Sequence, residues 1–134
     1  MIKLIVGAKG SGKTKTMIEQ INQVAKTTTG NVVVIEKSMK LTYDIDHAAR
    51  LIDLDEYKIE GCDMLYGFLS GVMAGNYDIT NMYIDGILKV CGREYDKVAH
   101  LLDVLNTMSG DNMQITVTVS ADRADLPEAM TKYL

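Results

Sequence analysis

The hydrophobic pattern changes period several times along the chain. Ile2-Lys3-Leu4-Ile5-Val6 is a short β-branched run and predicts a strand. A glycine-rich stretch, Gly7 to Gly12, follows it directly. From Lys13 the apolar positions Met17, Ile21, Val24 and Ala25 fall at helical spacing, with polar residues between them. Three threonines and Gly30 should end that helix. Val32-Val33-Val34-Ile35 are consecutive β-formers, the pattern of a parallel strand buried on both faces. From Glu36 to Tyr57 the pattern is weaker, and Arg50 to Leu54 suits either a short strand or part of a helix. Cys62 to Gly75 predicts a helix, with Leu65, Phe68, Leu69, Val72 and Met73 on one face. Met82-Tyr83-Ile84-Asp85 reads as a strand ending in an acid. Tyr95 to Met108 is a second amphipathic helix, with Val98, Leu101, Leu102 and Leu105 inward. After a Gly110-Asp111-Asn112 turn, Ile115 to Val119 forms a strand. Its Thr116 and Thr118 share one face, which suits an edge or half-covered place in the sheet. Asp125-Leu126-Pro127-Glu128 opens a short final helix, with Pro127 in its first turn.

Strands alternating with helices predict an α/β fold: a mostly parallel sheet of about five strands, counting the one near Leu51, with helices on both faces. A chain of 134 residues is expected to form a single domain, 1–134, and no repeat, linker or low-complexity segment divides it. No apolar run approaches the ~18 residues a membrane span needs. A formal charge of −4 without clustered basic residues gives no support for nucleic acid or an anionic membrane as partner. Cys62 and Cys91 allow one disulfide by arithmetic. With nothing else resembling a secreted protein, the expectation is free thiols in a cytoplasmic, soluble chain. The scattered His47 and His100 make no metal cluster with them.

One segment carries specific chemistry. Gly7-Ala8-Lys9-Gly10-Ser11-Gly12-Lys13-Thr14 matches G-x-x-x-x-G-K-[ST], the Walker A or P-loop pattern, and it lies between a predicted strand and a predicted helix. A loop wrapped around a phosphate must turn its backbone N–H groups inward, and side chains at the tightest points would obstruct it. The helix beginning near Lys13 aims its positive end at the same anion. The expected nucleotide-binding residues are Gly7, Ala8, Lys9, Gly10, Ser11, Gly12, Lys13, Thr14 and Lys15. Lys13 would reach the β- and γ-phosphates, and the Thr14 hydroxyl would ligate Mg²⁺. Asp85 is the candidate second metal residue. At the end of its strand, its carboxylate would emerge at the carboxyl edge of a parallel sheet beside the loop.

With these motifs the chain resembles the P-loop NTPase superfamily. The resemblance rests on Gly7 to Thr14 and Met82 to Asp85 as motifs, and on most of the chain as architecture. The Gly-x-x-Gly-x-Gly-Lys-Thr form is similar to that of recombinase-like, secretion-type and ring-forming ATPases. No Asn-Lys-x-Asp guanine-reading element is present, so ATP is the nucleotide favoured by elimination. The resemblance implies a three-layer P-loop NTPase-like fold, ATP as ligand and Mg²⁺ as cofactor. It also implies a slow Mg-dependent ATPase acting as a nucleotide-controlled switch or assembly module, with itself or a protein partner.

The departures from the family pattern are informative. Gly86 stands where many relatives carry a glutamate that activates water. Glu36, at the end of the second strand, matches the recombinase-like position of such a base, so Lys13 and Glu36 are the candidate catalytic residues. Asp44, Asp46 and Asp53 remain open as acids, and Asp44 to Tyr57 is the candidate switch segment. Ser120 reads either as a polar sensor of the γ-phosphate or as a helix cap. Arg50, Arg93 and Arg123 read either as charge-stabilising fingers or as solvated surface residues. A nucleoside or small-molecule kinase is an alternative, with Glu36-Lys37 near an acceptor. A non-hydrolysing nucleotide-binding module is a second alternative.

Overall fold

A computed structural model describes residues 1–38 and 44–134 of the chain. The elements run β1 (Ile2–Gly7), α1 (Lys13–Thr27), β2 (Asn31–Glu36), β3 (Ala49–Asp53), α2 (Gly61–Gly75), β4 (Ile79–Asp85), α3 (Ile87–Cys91), α4 (Tyr95–Ser109), β5 (Gln114–Ser120) and α5 (Glu128–Thr131). The five strands form one sheet in the order β1-β5-β4-β2-β3, and every pairing is parallel. The fold is therefore a three-layer α/β sandwich with helices on both faces, as the alternating pattern predicts.

One face is covered by α1. Met17 and Ile21, one turn apart, are fully buried against Val32, Val34 and Tyr83. The other face is covered by α2, α3, α4 and α5. There Leu65, Leu69, Leu102 and Leu105 pack on Val33, Ile35, Met82, Ile84, Ile115 and Val117. Because β2 lies between β3 and β4 and under helices on both sides, its residues after Asn31 are all buried. That is why its run is continuous rather than alternating. Among the described residues, no helix is long and apolar enough to cross a membrane.

Several expectations need correction. The Thr116–Thr118 alternation does not mark an edge. β5 lies inside the sheet between β1 and β4, and both threonines are buried. The edges are β1 and β3. On β1 the outward Leu4 N–H donates to the Tyr133 carbonyl at 2.9 Å, so the C-terminal turn covers part of that edge. Arg50 to Leu54 resolves as strand rather than helix, forming most of β3 and the residue after it. Helix α3 carried no signal in the pattern, because five residues are too few for a period to register. Before the last helix, a 3₁₀ turn at Arg123–Asp125 is opened by Asp122, whose carboxylate accepts from the Ala124 N–H. Pro127 sits at the cap of α5 rather than inside its first turn.

The cysteines also differ from expectation. Cys62 at the start of α2 and Cys91 at the end of α3 are joined as a disulfide, with Cα atoms 4.7 Å apart. Two residues distant in sequence meet because α2 and α3 pack side by side on the same sheet face.

Candidate functional site

The site begins at the end of β1. Gly10 and Gly12 have φ of 84° and 91°, in the left-handed region that a Cβ disfavours. The turn closes with a hydrogen bond from the Ser11 N–H to the Ala8 carbonyl at 3.1 Å. At Gly7 a Cβ would press on the Ser11 side chain, which would have to turn aside. Helix α1 then starts at Lys13 from Gly12. Lys13 is 8% exposed, and its ammonium donates to the Ala8 carbonyl at 2.9 Å, folded back over the loop. Ala8, Lys9, Gly10, Ser11, Gly12 and Lys15 are exposed around it, and Thr14 is half-buried.

The parallel register assembles the rest. Asp53, Glu36 and Asp85 stand level across β3, β2 and β4. Ile84 pairs with Val117 and Ile5 with Thr118, so Thr118 continues the row on β5 and Ile5 ends it on β1. These positions share the α1 face with Val34 and Tyr83, two residues earlier on their strands. Glu36 is 3% exposed and Thr118 is 1% exposed. Among the described residues the buried polar side chains are Lys13, Glu36, Ser109, Thr116 and Thr118, and all but Ser109 lie on this side of the sheet. Buried polar groups are costly unless partnered, which makes Lys13, Glu36 and Thr118, near the carboxyl ends of the strands, the candidate functional group.

Asp85 is held in place. The Thr118 hydroxyl donates to Asp85 Oδ1 at 2.7 Å and accepts from the Gly86 N–H, also at 2.7 Å. Burial lowers the pKa of Lys13 from the ordinary lysine value, the negative charge of Asp85 opposes that shift, and the positive charge of Lys89 adds to it.

Other candidates fall elsewhere. Asp46 is a turn acid that accepts from Ala48 N–H, whereas Asp53 stays in the row at the end of β3 and accepts from Ser38 N–H and Asp55 N–H. Asp44 is exposed, and its carbonyl accepts from the Asn22 amide. The stretch expected as a switch, Asp44 to Tyr57, contains β3, which is locked to β2, so a switch spanning all of it does not fit this sheet. Ser120 pairs with Gly7 at the start of the loop, and the cap role beyond β5 falls to Asp122. Arg50 and Arg123 are exposed. Arg93 donates to the Tyr95 hydroxyl and to the Ser120 carbonyl, which tethers it near the end of β5. Lys37 pairs with Asp55 at 3.6 Å.

The motif pattern does not single out Thr118: the Thr116–Thr118 alternation is visible, but only the strand order reveals that Asp85 is its neighbour.

Hard oxygen donors from Thr14 and Asp85 suit Mg²⁺. Among the described residues no group of three or more His, Cys, Asp or Glu could hold a metal. No family model matches the chain, and no curated protein matches it.

Proposed function

We propose that the chain binds ATP at Gly7 to Thr14 and hydrolyses it slowly with Mg²⁺ as cofactor, acting as a nucleotide-controlled switch or assembly module. The observation that carries this reading is the buried Lys13 ammonium, folded over a glycine loop at the start of α1. A cation buried at a helix start, beside a glycine-rich loop, is arranged for an anion of high charge. Thr14 and Asp85 would hold the Mg²⁺, which when bound supplies charge neutralisation on the phosphates.

The remaining chemistry belongs to this chain. Lys13 draws charge from the β- and γ-phosphate oxygens as the terminal bond breaks. Glu36, level with Asp85 and one strand away, accepts a proton from the attacking water. Water oxygen bonds to the terminal phosphorus, the bridging oxygen leaves with ADP, and inorganic phosphate is the second product. A protein partner or a second copy would read the difference between the two nucleotide states. The kinase alternative loses Lys37 as a ready acceptor contact, because Asp55 pairs with it.

Calorimetric titration with ATP and Mg²⁺ tests the reading. Lys13→Ala should weaken binding by roughly a hundredfold, since a buried charge-assisted contact is worth about 3 kcal/mol. Its melting temperature should barely move, because burying this lysine is itself unfavourable. Glu36→Gln should lower turnover far more than affinity. Unchanged affinity in Lys13→Ala would sink the binding site, and equal turnover in Glu36→Gln would dismiss that base.

A further inference from the structure

Cys62 is the second residue of α2 and Cys91 the last of α3, so their disulfide ties the start of one helix to the end of another. The two sulfurs are not equally placed. Cys91 is buried at 7% exposure, whereas Cys62 is half-buried. A cleft of about 490 Å³ between α2 and α4 is lined by Cys62, with Tyr66, Leu101 and Val104 as apolar walls. Cys91 is not among the described residues that line it. The charged groups of this cleft are Asp63, Asp96 and Lys97, with His100 beside them, and Lys97 pairs with Glu94 at 3.3 Å. The local balance is therefore negative. A thiol entering there meets the Cys62 sulfur, and a neutral thiol is favoured over an anionic one.

Helix α3 is the joint between this bond and the nucleotide site. Five residues do not hold a helix by themselves, so α3 depends on its packed face and on what fixes its ends. At its start, Gly86 follows Asp85, and the Thr118 hydroxyl bonds to both. At its end, Cys91 is bonded to Cys62. Two residues further on, Arg93 donates to the Ser120 carbonyl at 3.3 Å, and Ser120 pairs with Gly7 at the start of the loop. A change at Cys91 thus has a run of bonded contacts to Asp85 on one side and to Gly7 on the other.

We propose that the Cys62–Cys91 bond is a reducible clasp that controls the nucleotide site through α3, opened by a neutral dithiol. One thiolate of the dithiol bonds to the Cys62 sulfur. The Cys62–Cys91 bond breaks, and Cys91 leaves as a thiolate that takes up a proton. The second thiol of the reductant loses its proton and bonds to the first sulfur, which releases Cys62 to be protonated in turn. Two electrons pass to the chain, and the dithiol ends as a disulfide. With its end released, α3 holds Asp85 less firmly, and affinity for Mg·ATP falls. This control rests on the proposed ATP site, while the exchange at Cys62 does not.

Single-cysteine variants test the exchange without nucleotide. The neutral probe dithiodipyridine should label Cys62 in Cys91→Ser roughly tenfold or more faster than Cys91 in Cys62→Ser, and urea unfolding should erase the difference. Equal rates in the folded proteins, or a faster Cys91, would overturn Cys62 as the point of entry. Wild type is also titrated with Mg·ATP, oxidised and after dithiothreitol, at a temperature where circular dichroism shows both forms folded. Reduction should weaken binding roughly fivefold or more. Cys62→Ser with Cys91→Ser should match the reduced protein and ignore dithiothreitol. Equal affinity in the two forms, or the same response in the double variant, would overturn the clasp and leave the loop site standing. No ATP binding in either form would overturn both the site and its control.

Discussion

The two faces of the sheet are built to different specifications. Under α2, α3 and α4 the buried set is aliphatic, with Leu65, Leu69, Leu102 and Leu105 against the strands, and a disulfide crosses its rim. Under α1 the apolar cluster is smaller, and beyond it lies the row Glu36, Asp85 and Thr118 with Lys13 above. Apolar burial is non-directional and roughly additive in area, so the first face can hold the sheet together without exact placement of any one group. The second face gives up apolar area to carry groups that must be partnered one by one. Stability and chemistry are thus divided between faces of the same five strands.

That division can be broken from either side. The largest effect should come from Leu102→Ala, which empties a fully buried site on the aliphatic face. It should cost about 2–5 kcal/mol in denaturant unfolding. If the faces are separate, ATP affinity at a temperature where the variant remains folded should be nearly unchanged, and a parallel loss would deny the division. Next comes the disulfide. Cys62→Ser with Cys91→Ser opens a loop with a sequence separation of 29. On chain entropy this costs about 3–4 kcal/mol. A melting temperature indifferent to both the double variant and a thiol reductant would show the two sulfurs unbonded in solution.

Thr118→Val should have the smallest effect on stability. It leaves the Gly86 N–H without its acceptor and Asp85 without a donor, for about 1–3 kcal/mol. Its effect on Mg²⁺-dependent nucleotide binding should be the more conspicuous one, because Asp85 loses the contact that aims it. A Thr118→Ser variant should restore both readouts. Failure of serine to rescue would mean the hydroxyl does not position Asp85.

Much of this arrangement was legible along the chain. Local period marks elements because it records which side of a helix or strand meets apolar neighbours, and α1, β2, α2 and α4 emerge near their observed bounds for that reason. The loop is legible because its glycines answer a backbone demand, as the φ values of Gly10 and Gly12 attest. Asp85 is legible as a strand-end acid. Helix α3 is not legible, since its length is under two turns. The place of β5 was misread because alternating threonines suit a wet edge as well as they suit a buried row with its own hydrogen-bond partners.

What the residues alone determined is therefore local: where strands and helices form, and a loop whose positive φ at Gly10 and Gly12 calls for glycine. Only the tertiary structure decided that β5 separates β1 from β4, that Thr118 grips Asp85 there, and that Glu36 stands level with Asp85. Those facts depend on which strands lie side by side. Strand order is set by the summed packing of both faces and by how each helix crosses over, and no single stretch of sequence encodes that sum.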